Sequence, residues 1–390
     1  WWMTKNQCSG GMEDGSDNLK PDYFEAFADY LTDVTKHLQD SSGFRFRTLE
    51  PLNESSSNWW TGTSQAQEGC GFANNQAKLM KTLAVEIKAK NLAIGVSAAD
   101  ENSISLALSG LQKYDDSALS ILAQLNTHSY SGWDKRKEYG QKAISLKKRL
   151  WMSESGPLNR PAGGDLLDVS LWMADMIIKD VKEMQANAWI DWQLIDASAN
   201  WRSIDANQTA QSFAPNKRFY MHCNFSRFIR PGSKILQSPA ENTLAALVPE
   251  TGNLVVVVLN PETAARNYII DLSLFPGAAP SGSVYSTNAT DNLKKLADIP
   301  VQGGGLTAAV SAKSITTFVI KVANPSGLST DSREWQDSRA SRDNAARSGK
   351  AWRMRNGNGA GPWPAFPWEQ WEFDAQGRML GHPLESRRLE

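Results

Sequence analysis

Up to about residue 230, strand-length apolar runs alternate with helix-length amphipathic ones, and no other feature constrains this chain as strongly. Neighbouring parallel strands need long crossovers, and helices supply them, so the alternation predicts a parallel sheet flanked by helices. Residues 44–49, 93–97, 124–130, 149–154 and 188–194 read as strands. Residues 22–38 carry Phe24, Phe27, Leu31, Val34 and Leu38 at helical spacing, and residues 76–92 carry Leu79, Met80, Leu83 and Ile87 likewise. Further helices are expected near 117–123 and 139–148, over 165–185, and over 217–229 before Pro231-Gly232. Trp1-Trp2-Met3 reads as the stump of a sixth strand. The expected architecture is a (β/α)8 TIM barrel lacking its first two strands. An open doubly wound sheet is the competitor, but it usually shows a Gly-rich phosphate loop after an early strand, and this sequence has none there.

From residue 242 to 322 the pattern changes to short strands (244–248, 254–259, 268–274, 283–286, 315–322) between Gly, Pro and Asn turns, as in an all-β sandwich. Residues 324–390 are rich in Arg, Gly, Ser, Pro and Trp and hold no sustained period. The expected division is a partial barrel over 1–235, a β-sandwich domain over 236–323 and a low-order tail over 324–390.

Charge is balanced, with 41 basic and 42 acidic residues in 390, which argues against a nucleic-acid footprint. The longest apolar run, 254–259, is strand-sized, so no membrane span is expected. Cys8 and Cys70 fall in polar, Gly-rich loops where a bridge is possible, and Cys223 reads as a buried thiol in a helix. Three cysteines and four histidines without ligand spacing indicate no metal or organic cofactor. Sequons at Asn53, Asn207, Asn224 and Asn288 fit a secreted protein. No signal peptide is visible, and a monomer is expected.

Glu54 and Glu154 each end a strand and open into a loop. Either alone reads as well as a solvated loop glutamate. As a pair at strand ends they suit cleavage of a glycosidic bond, one carboxyl as acid and one as nucleophile. The mouth of a barrel, where strand carboxyl ends converge, is where such chemistry sits. Asp100 and Glu101 also end a strand and read as cleft lining or helix capping without a catalytic part.

The ordered motifs Leu49-Glu50-Pro51-Leu52-Asn53-Glu54, Gln67-Glu68-Gly69-Cys70, Ser97-Ala98-Ala99-Asp100-Glu101-Asn102, His128-Ser129-Tyr130, Trp151-Met152-Ser153-Glu154 and Trp189-Ile190-Asp191-Trp192 mark a resemblance. With Trp2-Met3-Thr4 and the run from Asn224 to Gly232, they make the chain resemble glycoside hydrolase family 30 from residue 1 to about 322, its fungal endo-β-1,6-galactanase-like members most of all. Asn53-Glu54-Ser55 departs from the family's usual Asn-Glu-Pro. The family's amino-terminal part, with two barrel strands, part of the sandwich and a basic residue of the sugar site, has no counterpart here.

The resemblance implies retaining hydrolysis, with Glu54 as acid/base and Glu154 as nucleophile. The chemistry then asks for Glu54 in a drier pocket that raises its pKa and for Glu154 to accept hydrogen bonds and stay ionised. Asn53 would hold a sugar hydroxyl, Tyr130 would orient Glu154, and Trp192 would floor the sugar, with Trp189 in the core. His128 reads as a site residue or a structural histidine. Trp59 and Trp60 read as cleft walls or packing. The implied partner is a polysaccharide, β-1,6-galactan first. A glucanase, xylanase or glucosylceramidase-like specificity is the alternative, and so is an inactive carbohydrate-binding remnant.

Overall fold

The computed structural model describes residues 2–322 apart from 64–66, 68, 161–162 and 276; the expected tail over 324–390 lies outside the described residues. Five strands, β1 (Thr48–Leu49), β2 (Gly95–Ala98), β3 (Leu122–His128), β4 (Arg149–Ser155) and β5 (Ala188–Asp191), form one sheet in that spatial order. Every pairing is parallel. A doubly wound sheet reverses its strand order at a switch point. Here the order follows the chain throughout, so the sheet is an arc of a barrel, an incomplete one.

The sixth strand expected at residues 1–3 does not join this arc. The Lys5 amide donates to Asn18 and the Lys20 amide to Met3, so the segment folds back on residues 18–20, and Trp2 is 60% exposed. β1 is also shorter than expected, because it has one neighbour only and Phe44 and Phe46 extend past it into solvent.

Helices flank the strands. They are α1 (Phe24–Ser42), α2 (Gln76–Ala89), α3 (Ile104–Leu111), α4 (Asp116–Ile121), α5 (Arg136–Ser145), α6 (Leu166–Glu183) and α7 (Lys217–Ser226). Side-chain caps start four of them: Ser103 for α3, Asp115 for α4, the Asp165–Asp168 capping box for α6, and Asn216 for α7. The face read for α2 is the buried one, with Leu79, Met80, Leu83 and Ile87 all inside. α1 differs. It buries Phe24, Ala28, Thr32 and Thr35, while Val34 and Leu38 of the expected face are 41% and 38% exposed. The helix packs mainly on α2, and only a narrow stripe fits there. α3 was not expected, and a hairpin of β6 (Ile204–Asn207) and β7 (Ser212–Pro215) stands in the crossover after β5.

The carboxyl-terminal region is β-rich, as read. β8 (Lys234–Leu236), β9 (Thr243–Val248), β10 (Asn253–Asn260), β12 (Ser281–Thr287), β13 (Lys294–Lys295), β14 (Ile299–Pro300) and β16 (Ser314–Lys321) make the larger sheet. β11 (Arg266–Asp271) and β15 (Gly305–Val310) pair as a ribbon over it. β10 explains the apolar run that marked it. Side chains alternate faces along a strand, and here both faces are dry. Leu254, Val256 and Val258 point into the sandwich core with Phe318, Ile320 and Leu306. Val255, Val257 and Leu259 point the other way, onto Leu171, Ile177 and Ile178 of α6 and Met221 and Phe225 of α7. A strand buried on both faces has no polar alternation to show. No helix among the described residues is long and apolar enough to cross a membrane.

This shared core predicts a shared transition. Leu259→Ala should cost about 2–5 kcal/mol, and calorimetry should still find one cooperative unfolding step. Two resolved transitions with only one displaced would count against a common core.

Candidate active site

The carboxyl ends of β1 to β5 face one place. After β1 the chain turns sharply, and Glu54 takes a left-handed backbone conformation at φ 49°. Side chains other than glycine seldom adopt it, and the neighbourhood must hold it there. Three bonds do so directly. The Glu54 amide donates to the Asp100 carbonyl at 2.7 Å, the Trp60 indole donates to the Glu54 carbonyl at 2.8 Å, and the Ser57 amide donates to the same oxygen at 3.1 Å. Buried Glu101 secures the next residues by accepting from the Ser56 amide (2.9 Å), the Ser56 hydroxyl (2.7 Å) and Gln76 Nε2 (2.8 Å).

His128 ends β3, paired in register with Glu154 on β4. Its Nδ1 lies 2.7 Å from Glu54 Oε1 and 3.7 Å from Glu154 Oε1, and its Nε2 lies 3.4 Å from Asp100 Oδ1. The last contact makes no aligned hydrogen bond, so it acts through charge. The Tyr130 hydroxyl donates to Glu154 Oε1 at 2.9 Å. One donor atom each from Glu54, His128 and Glu154 lie within 4.8 Å of one another. Such a set resembles metal ligands by composition, but Nδ1 and Oε1 are already bonded to each other, so it reads as an acid pair bridged by an imidazole.

Burial by itself would lower the affinity of His128 for its proton, but Asp100 and Glu54 outweigh burial and lift its pKa to about 10. Burial would raise Glu54, yet His128, Gln67 and Asn102 bring it below the ordinary value. Burial raises Glu154 against the pull of His128 and Tyr130. Glu54, expected to be raised, is instead lowered, and Glu154, expected to stay ionised, is the one that is raised. At Glu54 the cation at His128 outweighs burial, and at Glu154, farther from that cation, burial wins.

The remaining expected residues are placed as follows. Asn53 is half-buried beside Glu54. Trp192 is 44% exposed at the mouth, its amide donating to the Ser155 carbonyl at 2.7 Å. Trp59 is half-buried. Trp60 does not line an open cleft: it is buried, because its indole holds the Glu54 loop from beneath. Trp189 is half-buried against the core, its indole donating to Asp180 at 2.9 Å. Asp100, read as cleft lining or helix capping, lies against His128. Cys8 and Cys70 form no disulfide, and Cys223 is half-buried rather than enclosed, its thiol raised by burial to about 11. Asn224 cannot carry a glycan, since it is fully buried and bonded to Tyr220, Thr287 and Thr317.

Sequence reasoning missed two donors to Glu54: Gln67 Nε2 at 2.7 Å from Oε2 and Asn102 Nδ2 at 3.1 Å from Oε1. Both fall in quoted motifs, which was the only signal for them. Nothing signalled Trp201, whose ring lies 6.2 Å from that of Tyr130. Its loop is clamped from below. Fully buried Arg218 pairs with Asp191 and donates to the Asn200 carbonyl at 2.5 Å. Gly156, two residues past Glu154, leaves room for this wall, since a Cβ there would run into the Trp201 ring and the Trp192 carbonyl oxygen.

Residues 2–132 match the model of O-glycosyl hydrolase family 30. Over that stretch the chain is similar to that family. An endo-β-1,6-galactanase of Hypocrea rufa is 29% identical over 82% of this chain and 66% of its own length, so the chain spans a little under two thirds of that relative. A glucuronoxylanase of Bacillus subtilis is 25% identical over 77% of this chain and 67% of its own. The crystal structure of a family 30 endoxylanase from Clostridium papyrosolvens shares the fold, with a TM-score of 0.64 and 24% identity over 83% of this chain and 77% of that one.

Two outcomes follow. Gly156→Ala should displace Trp201 and Trp192, which should shift the intrinsic tryptophan fluorescence with the protein still folded by circular dichroism. His128 binds its proton more tightly in the fold than the ordinary 6.5. Its stabilisation is therefore full below pH 6.5 and is lost as pH rises toward about 10. The thermal midpoint should fall across that window more steeply in the wild type than in His128→Asn.

Proposed function

We propose that this protein is a retaining endo-glycosidase that hydrolyses β-1,6-linked galactan, as in arabinogalactan side chains, outside the cell and as a monomer. The observation that carries the reading is the closeness of Glu54 and Glu154 across one imidazole. Retention needs carboxyl groups about 5–5.5 Å apart, and inversion needs about 6.5–9.5 Å to admit a water.

Glu154 attacks the anomeric carbon as the glycosidic oxygen departs. The departing oxygen takes a proton from Glu54, which draws it along the bond from His128 Nδ1. A covalent glycosyl ester on Glu154 results. Glu54 then takes a proton from water, the resulting hydroxide attacks the same carbon, and Glu154 leaves as carboxylate. Tyr130 holds the Glu154 oxygen that does not attack, and Asn53, Trp192 and Trp59 face the sugar chain. Trp60 serves by holding the Glu54 loop.

The β-1,6-galactan assignment draws on the fungal relative. Xylan is the second reading, because the Bacillus relative named a glucuronoxylanase is similar at nearly the same identity. An inactive binding remnant draws on the open arc of the sheet.

A panel of β-1,6-galactan, β-1,6-glucan and glucuronoxylan separates these readings. β-1,6-galactan should be cut, with the β-anomer of the product appearing first by proton NMR. Glu54→Gln should lose about 10²–10⁴-fold, and Glu154→Gln should fall to background. Cleavage of xylan alone would remove the substrate assignment. An α-anomer appearing first would remove the mechanism, and equal activity of wild type and Glu154→Gln would favour the remnant.

A further inference from the structure

We propose that Asp100 is a positioning residue for proton transfer: it fixes a proton on His128 Nε2, so that the proton for the leaving oxygen is stored between His128 Nδ1 and Glu54. The proposal rests on the reading of Glu54 as the acid/base.

Asp100 ties three elements together at the end of β2. Its backbone carbonyl accepts the Glu54 amide at 2.7 Å and so helps to hold the left-handed turn. Its Oδ1 accepts the Ser153 hydroxyl, one residue before Glu154. That same hydroxyl reaches the Thr127 carbonyl at 3.2 Å, so Oδ1 is fixed between β3 and β4. From there it faces His128 Nε2 at 3.4 Å.

The argument turns on what each ring nitrogen sees. A neutral imidazole carries one N–H, and its other nitrogen presents a lone pair. A bare Nε2 would put that lone pair against the Asp100 carboxylate, inside a buried site where nothing screens the repulsion. Nε2 therefore carries a proton. Nδ1 faces Glu54 Oε1 at 2.7 Å, and two lone pairs cannot share that distance. A second proton must lie there, on Nδ1 or on Oε1. Asp100 thus decides that the His128–Glu54 bond holds a transferable proton and that Nδ1–H is not the ring's only one.

The charged groups around the ring agree. Glu54 faces it from the loop after β1, Asp100 from just past β2, and Glu154 from β4 at 3.7 Å, with Tyr130 two residues past the end of β3. Behind Asp100 lie Glu101 and buried Glu50, whose carboxyl is raised well above the ordinary value by burial and by Asp100. His128 is accordingly held above the ordinary histidine range, with Asp100 and Glu54 together outweighing burial.

In Asp100→Asn the carboxylamide can offer N–H to Nε2. The ring then stays neutral with its single proton on Nδ1, pointing at an ionised Glu54, and the acid proton is missing. On β-1,6-galactan, kcat/KM at pH 7 should fall about 10–100-fold, and its alkaline limb should move to lower pH by about one unit or more. A dinitrophenyl β-1,6-galactobioside, whose leaving group needs no proton, should lose kcat/KM by a smaller factor. An unmoved alkaline limb, or equal losses on both substrates, would overturn the proposal. An independent measurement needs no variant to fold: nitrogen NMR of histidine-labelled wild type, with His128→Gln for assignment, should show Nε2 protonated from pH 5 to 8. A bare Nε2 at pH 7 would also overturn it. If Glu54→Gln were dead while Asp100→Asn matched wild type, only the Asp100 proposal would fail; if Glu54→Gln were fully active, the acid/base reading would fail first.

Discussion

One buried imidazole holds the ends of four strands in a common electrostatic problem. His128 has no exposed surface, and it stands between Glu54, Asp100 and Glu154. Three carboxylates brought this close would repel one another strongly in a dry site, and a buried charge left unpaired is costly. The imidazolium removes that cost. Without it, the left-handed turn at Glu54 would lose its electrostatic reason to bring that side chain inward. The site therefore depends less on any single glutamate than on the cation among them.

The layer outside that ring keeps it in place. Ser129, between His128 and Tyr130, donates to Asp180 at 2.8 Å, and Asp180 also takes Arg136 Nε at 2.8 Å and the Trp189 indole. A fully buried aspartate thereby joins α5, α6 and β5 behind the His-Ser-Tyr turn. α6 in turn rests on β10, as does α7, which carries Arg218 and so the Trp201 loop. The β-rich region is in this sense part of the site's foundation. Its central strand supplies an apolar floor to the two helices that position polar groups at the opposite end of the sheet.

The readable part of this molecule was local. Glu54, His128, Tyr130 and Glu154 each follow a short apolar run, and a parallel sheet must deliver such residues to one edge. α2 and α6 were legible because four or five apolar residues recur at helical spacing and nearly all of them are buried or half-buried. α1 misled because its apolar stripe is wider than the surface available on α2. Trp60 misled because nothing in a sequence tells whether an aromatic beside a carboxylate faces the cleft or lies beneath the loop. Gln67, Asn102 and Trp201 reach the site through crossovers whose course depends on long-range contacts, and Asp100 acquired its partner only when β2 lay beside β3 and β3 beside β4.

By itself the sequence determined which residue types stand at the strand ends, since the alternation of apolar runs and helices permits few other arrangements. It also determined the parallel direction of the sheet and the two-faced burial of β10, because both follow from hydrophobic pattern. Only the tertiary structure decided where protons and charges sit. Whether a carboxyl is raised or lowered depends on burial and on neighbours within a few ångströms. The decisive neighbour of Glu54 lies 74 residues away along the chain and 2.7 Å away in space.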